Sequence, residues 1–262
     1  MARLCTLASG SGGNSTYIST SDGDILVDAG ISCKALMAAI DDANGDVSKL
    51  RAVAITHTHN DHIIALKTFL KNPKIPLIAS AETLEALAEK DFIPEGIKTI
   101  ATNNGILNFG DIQVDFFKTS HDAKGSGGYA ITLPDGRRAA VCTDLGIMTD
   151  DIRNKILGCD VVLLESNHDV EMLRRGPYPA ALKLRILSDE GHLSNNACAA
   201  EQPALLKSGT TRIILGHFCR ENNTPLLALS AARATLAKIG AKDGVDYILE
   251  AARPKTVGVT VF

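Results

Sequence analysis

The apolar positions of this 262-residue chain fall into two patterns. Some form short runs bounded by turn residues. Others recur every three to four positions over longer segments. The first pattern reads as strand and the second as helix. Residues 3–8 and 15–19 predict two strands joined by the glycine-rich turn 9–14. A third strand at 24–28 closes on Ala29-Gly30. Over 32–42, Leu36, Met37 and Ile40 make the core face of a helix. The apolar run 52–56 predicts a strand that leads directly into His57, and 61–69 reads as a helix. Further strands are expected at 76–78, 112–117, 127–133, 138–143, 161–165, 212–215, 247–250 and 256–262. Helices are expected at 81–89, 150–156, 194–207 and 225–238.

No repeat, low-complexity segment or Pro/Gly/Ser linker divides the chain, and strands and helices occur in both halves. This pattern suits an α+β sandwich: two mixed sheets face to face, helices on the outer faces, residues 1–262 as one domain. A net charge of −3 leaves no global basic field, so an anionic partner must be drawn in locally. The six cysteines have no C-x-x-C pairing and read as reduced, mostly buried thiols. The first residues lack the apolar stretch of a signal peptide, and no run approaches the roughly 18 apolar residues of a membrane span. A cytoplasmic protein with no membrane partner is expected; the oligomeric state is not legible.

The sharpest chemical signal is His57-Thr58-His59-Asn60-Asp61-His62, four potential metal ligands directly after an apolar strand. Residues two apart in an extended segment point the same way, so His57 and His59 can share one metal. The turn into the following helix displaces Asp61 and His62 toward a second. Three more candidates lie just past strand ends: His121, Asp144 and His217. A lone histidine or aspartate in such a place is more often structural. Three together, beside the histidine motif, are better explained by a common cleft. All of these donors are nitrogen or oxygen, which suits Zn²⁺, Mn²⁺ or Fe²⁺ without choosing between them. Two such ions can share a hydroxide and clamp a phosphoryl oxygen.

This order of motifs resembles the metallo-β-lactamase superfamily over nearly the whole chain. The resemblance implies the four-layer αββα fold. It also implies one metal on His57, His59 and His121, a second on Asp61, His62 and His217, and Asp144 as the bridge. Asp61 is then catalytic as well as metal-binding. Asp28, in Leu26-Val27-Asp28-Ala29-Gly30, matches an early acidic motif that orients ligands without binding metal.

Two histidines remain, His168 and His192. Glu165 ends a very apolar strand, and His192 precedes the helix expected at 194. The pair resembles the Glu and His of phosphodiesterase members such as tRNase Z, which implies His192 as general acid and Glu165 as its orienting partner. Help of this kind contributes typically ~10²–10⁴-fold. Closer still, the runs 7–14, 165–173, 186–195 and 222–223 are similar to the WalJ/YycJ-type branch. That resemblance implies a 5′→3′ DNA exonuclease with two divalent ions, zinc or manganese. The interval between Asp144 and His217 is too short for the β-CASP insertion of RNA-processing relatives such as RNase J. His168, Arg174 and Arg175 are candidate substrate contacts, as are Ser11 and Asn14 of the glycine turn. The alternative is a small-molecule hydrolase: a lactonase, thioesterase or cyclic phosphodiesterase.

Overall fold

The computed structural model describes residues 2–71, 75–102 and 105–262. The first half runs β1 (Arg3–Ala8), β2 (Ser15–Ser19), β3 (Asp24–Val27), α1 (Cys33–Asp42), β4 (Leu50–Ala54), α2 (Asn60–Ile63), α3 (Leu66–Phe69), β5 (Leu77–Ala79), α4 (Ala81–Glu89) and β6 (Thr99–Ala101). The second runs β7 (Leu107–Phe109), β8 (Ile112–Lys118), β9 (Gly127–Thr132), β10 (Arg138–Cys142), α5 (Asp150–Ile156), β11 (Val161–Glu165), α6 (Val170–Arg175), α7 (Ala180–Ile186), α8 (Asn195–Lys207), β12 (Arg212–Gly216), α9 (Pro225–Ala237), β13 (Ile248–Ala251) and β14 (Gly258–Val261). Among the described residues no helix is long and apolar enough to cross a membrane.

The strands form two sheets in the orders β14-β1-β2-β3-β4-β5-β6 and β13-β12-β11-β10-β9-β8-β7. In the first sheet β14, β1, β2 and β3 pair antiparallel, and β3 to β6 run parallel. The second repeats this plan: β7 to β10 antiparallel, then β10 to β13 parallel. The interior parallel strands β3, β5, β11 and β12 are buried on both faces, as their apolar runs require. Alternate residues divide between two layers of core. In β11, Val161 and Leu163 join the core between the sheets, while Val162 and Leu164 meet the helices outside. In β4, Ala52 and Ala54 face between the sheets, and Val53 packs under the helices of the first half. The result is the four-layer αββα sandwich, an α+β fold. Helix starts carry side-chain caps: Ser32, Ser80, Thr149, Ser194 and Thr224 each accept from a backbone N–H three residues on.

Besides α6 and α7, which lie outside the helices expected, two features depart from the sequence expectation. The helix expected over 61–69 is two short helices, α2 and α3. The carbonyls that would continue α2 are taken by other loops: Asn14 N–H donates to Asp61 O (2.7 Å) and Ala29 N–H to His62 O (2.8 Å). Ala65 N–H turns to Ala29 O (2.8 Å). A Cβ on Gly30 would collide with the Asp61 carbonyl, so glycine permits this close approach. The second departure is β6 and β7, which the apolar pattern did not predict. Each has three residues, none of them buried, and leaves no periodicity to read.

Candidate metal centre and cleft

The parallel strands bring their C-terminal ends to one edge of the sandwich, where chemistry collects in open α/β sheets. Asp28 follows β3, His57 follows β4, Asp144 follows β10, Glu165 ends β11 and His217 follows β12. His121 enters from the end of the antiparallel strand β8. Asp28, Asp144 and His217 all have positive φ (62°, 59° and 57°). Aspartate and histidine visit this region more readily than most residues, and here it turns the chain sharply at the strand end.

Ligand atoms converge in overlapping groups, each lying within 4.8 Å of one another: His57, His59 and His121; Asp61, His62 and His217; His57, His62 and Asp144. Asp144 stands between the first two. Its Oδ1 is 3.7 Å from His121 Nε2 and 3.5 Å from His217 Nε2, and its Oδ2 is 3.3 Å from His62 Nε2. A fourth group joins Asp144, Glu165, His192 and His217.

Each buried ring is aimed by its other nitrogen. Asp28 accepts from His62 Nδ1 (2.8 Å) and from the backbone and hydroxyl of Thr56 (both 2.9 Å). The Thr56 hydroxyl in turn lies 3.0 Å from His57 Nδ1 and accepts from it, having given its own proton to Asp28. His121 Nδ1 donates to Gly191 O (3.2 Å), and His217 Nδ1 to Glu165 Oε1 (2.6 Å). The opposite nitrogens are left facing inward. His57 Nε2 and His217 Nε2 are buried without a hydrogen-bond partner, and His121 Nε2 meets His59 Nδ1 at 3.3 Å. Burial keeps His57 and His59 neutral, with pKa values below the usual histidine range. Lone pairs that face one another in this way fit a cation between them.

The electrostatics agree. Burial alone would lower His62, but Asp144 and Asp28 outweigh it and raise it to about 10. Burial is likewise outweighed at His217, which Asp144, Asp61 and Glu165 raise. Protons and divalent ions compete for the same lone pairs in such a site. The donor set therefore fits divalent metal, and it contains no thiolate. Cys219 lines the cleft, but its sulfur lies beside the Asn222 amide (3.4 Å) and the Tyr178 hydroxyl (3.6 Å) and joins none of the ligand groups.

Glu165 is fully buried and holds two histidines. Oε1 accepts from His192 Nδ1 (2.9 Å) as well as from His217, while Oε2 accepts the backbone N–H of Leu145 (3.0 Å) and Leu193 (3.2 Å). Burial would raise its pKa, but His192 and His217 hold it at about 2. With Nδ1 tied to Glu165, His192 presents Nε2 to the cleft, which it lines. The cleft, about 240 Å³, is also lined by Ser11, His59, Asp61, Asp144, Asn167, Tyr178, Leu182, Arg185, Ile186, His217 and Cys219.

Four anticipated substrate contacts are placed elsewhere. Asn14 is buried, with its amide nitrogen 3.2 Å from Asp61 Oδ2 and 3.1 Å from His62 Nε2, so it steadies the histidine motif. Arg174 and Arg175 pair with Glu171 on the exposed face of α6, outside the cleft wall, as i,i+3 and i,i+4 spacing on a solvated helix favours. His168 is buried with neither ring nitrogen hydrogen-bonded, and burial lowers it to about 4, so it is a neutral ring outside the cleft lining. Ser11 does line the opening.

Thr56, Asp122, Tyr178 and Leu182 were missed. Asp122 Oδ1 lies 3.5 Å from His121 Nε2, and its other oxygen is held by Arg185. Thr56 had one legible sign, its place immediately before His57. Replacing it with valine is expected to leave the fold intact and lower metal affinity about 10–100-fold, because His57 loses the group that orients it. Metal titration followed by calorimetry reads this; wild-type affinity would mean that the Thr56 hydroxyl does not aim His57.

The αββα sandwich with histidines and carboxylates at its strand ends defines a metallo-β-lactamase-fold protein. Residues 24–218 match the family described as Beta-lactamase superfamily domain, and the chain belongs to that family. It is 36% identical over 250 residues to the exodeoxyribonuclease YycJ of Bacillus anthracis, covering 95% of this chain and 94% of that one. It is also 36% identical over 253 residues to the exodeoxyribonuclease WalJ of Streptococcus pneumoniae serotype 2, with the same coverage of each chain. Among solved structures, the metallo-β-lactamase fold protein YhfI from Bacillus subtilis superposes with a TM-score of 0.68 at 16% identity, covering 99% of this chain and 100% of that one. At that identity the likeness speaks for the fold alone.

Proposed function

We propose that this chain is a dinuclear metal-dependent phosphodiesterase that degrades DNA from the 5′ end, built as one domain over residues 1–262. The observation that carries this reading is the His192–Glu165 pair beside the ligand cluster, in a chain whose relatives are named exodeoxyribonucleases. His57, His59 and His121 would hold one ion, Asp61, His62 and His217 the other, and Asp144 would lie between both. Zinc and manganese suit these donors, and iron fits the same set. Ions bound there supply a water made acidic near neutral pH and a Lewis acid for a phosphoryl oxygen.

The protein's own groups do the rest. A phosphodiester expels a poor alkoxide leaving group, which needs a proton. His192 carries that proton on Nε2, because its Nδ1–H is committed to Glu165. The Glu165 carboxylate, fixed by two backbone N–H groups, keeps the ring oriented with Nε2 toward the cleft. Asp61 and Asn14 hold the histidine motif against the glycine turn. Tyr178, Leu182 and Ile186 line the same cleft and offer an apolar surface on which a terminal nucleobase can rest.

The test is degradation of end-labelled DNA and RNA, with 5′-phosphate or 5′-hydroxyl ends, in Mn²⁺, Zn²⁺ and Mg²⁺. Metal-dependent release of mononucleotides from the 5′ end of DNA is expected. Turnover of a lactone or thioester with no cleavage of any polymer would move the site to small-molecule hydrolysis.

A further inference from the structure

The glycine turn 9–14 and the loop after β12 are some two hundred residues apart in sequence, yet they close on each other along the cleft rim. Ser9 Oγ accepts from the His217 backbone N–H at 2.8 Å. A Cβ on Gly216 would lie 2.9 Å from that oxygen, and one on Gly10 would lie 3.2 Å from Phe218 O. At the outer end of this seam the Arg220 guanidinium lies across Gly12, its Cζ 2.8 Å from where a Cβ would stand. The neighbours of both residues, Ser11 and Cys219, line the metal cleft.

Arg220 differs from the other arginines near the cleft. Arg185 is tied to Asp122, and Arg174 and Arg175 are tied to Glu171. Arg220 is exposed, and among the described residues it makes no hydrogen bond and no ion pair. A guanidinium held close against backbone, with its donors unspent, is pre-organised for a phosphate. The chain as a whole carries a net charge of −3, so attraction of a polyanion must come from such a local group.

We propose that Arg220, seated on Gly12, binds a backbone phosphate of the DNA strand next to the diester held in the cleft; this rests on the nuclease reading above. The glycine is part of the device. Nothing but Arg220 stands among the nearest atoms to a Gly12 Cβ, so Gly12→Ala displaces the guanidinium and little else while keeping its charge.

The test is fluorescence anisotropy of a short single-stranded, phosphorothioate-linked oligonucleotide with the metal-loaded full chain, over a series of salt concentrations. Arg220→Gln is expected to weaken binding on the order of tenfold and to reduce the salt slope by about 0.7, one phosphate contact on a single strand. Gly12→Ala should weaken binding severalfold at unchanged thermal stability. Wild-type affinity and slope in Arg220→Gln would overturn the proposal, and so would wild-type binding in Gly12→Ala. Weakening that appears only with a fall in Tm would make Arg220 a structural residue and overturn it too. A wild-type chain that binds and cleaves no DNA would instead sink the nuclease reading itself.

Discussion

Asp144→Asn is expected to abolish metal-dependent hydrolysis, lowering the rate by on the order of 10³-fold or more, with metal content falling below two ions per chain. Asp144 is 2% exposed and stands between the two ligand groups, within 3.3–3.7 Å of the inward nitrogens of His62, His121 and His217. Burial works against its charge, yet His217, His62, His57 and His121 hold its pKa well below the carboxylate range. The charge is therefore present at neutral pH, where a cation needs it. Asparagine keeps the shape and tolerates the positive φ of this position, so the change isolates the charge. Metal analysis by mass spectrometry and single-turnover cleavage measure the two effects separately. Two tightly held ions and near wild-type cleavage in the variant would remove Asp144 from the bridging position.

His192→Ala is expected to slow DNA cleavage ~10²–10⁴-fold while leaving metal content unchanged. The side chain is not needed to complete either three-ligand group, and its principal bond is to Glu165. Losing it removes the proton donor for the leaving oxygen and leaves the ligands in place. The size of the loss should depend on the leaving group. A diester that expels nitrophenolate needs little protonation, so its penalty should be much smaller than that for DNA. Glu165→Gln should behave differently, since Glu165 also aims His217. That variant is expected to lose about 10–100-fold in metal affinity as well as rate. Equal penalties on DNA and on the nitrophenyl diester would show that His192 acts by shaping the cleft and not by giving a proton.

How far these residues could be read in advance follows from which interactions are local. The strands β1, β10, β11 and β12 announce themselves because their apolar runs are buried on both faces, and the helices α4 and α5 because their apolar positions recur within a few residues. The histidine motif was legible for the same reason: four donors in six residues need no knowledge of the rest of the chain. The break between α2 and α3 was not, since it depends on Asn14 and Ala29 taking carbonyls from a segment more than thirty residues away. Asn14 looked like part of an open glycine turn, and only its bonds to Asp61 and His62 show which way it faces.

The amino-acid sequence by itself determined the four-layer order of elements and the pool of metal-binding donors at the strand ends, because strand, helix and turn preferences act over short distances. The tertiary structure decided which nitrogen of each histidine faces inward, since that depends on Asp28, Thr56, Gly191 and Glu165 arriving from separate strands and loops. It also decided which cations stay free. Arg174 and Arg175 find Glu171 on their own helix, whereas Arg220 is carried to the cleft rim by a contact between the first loop of the chain and one near its end.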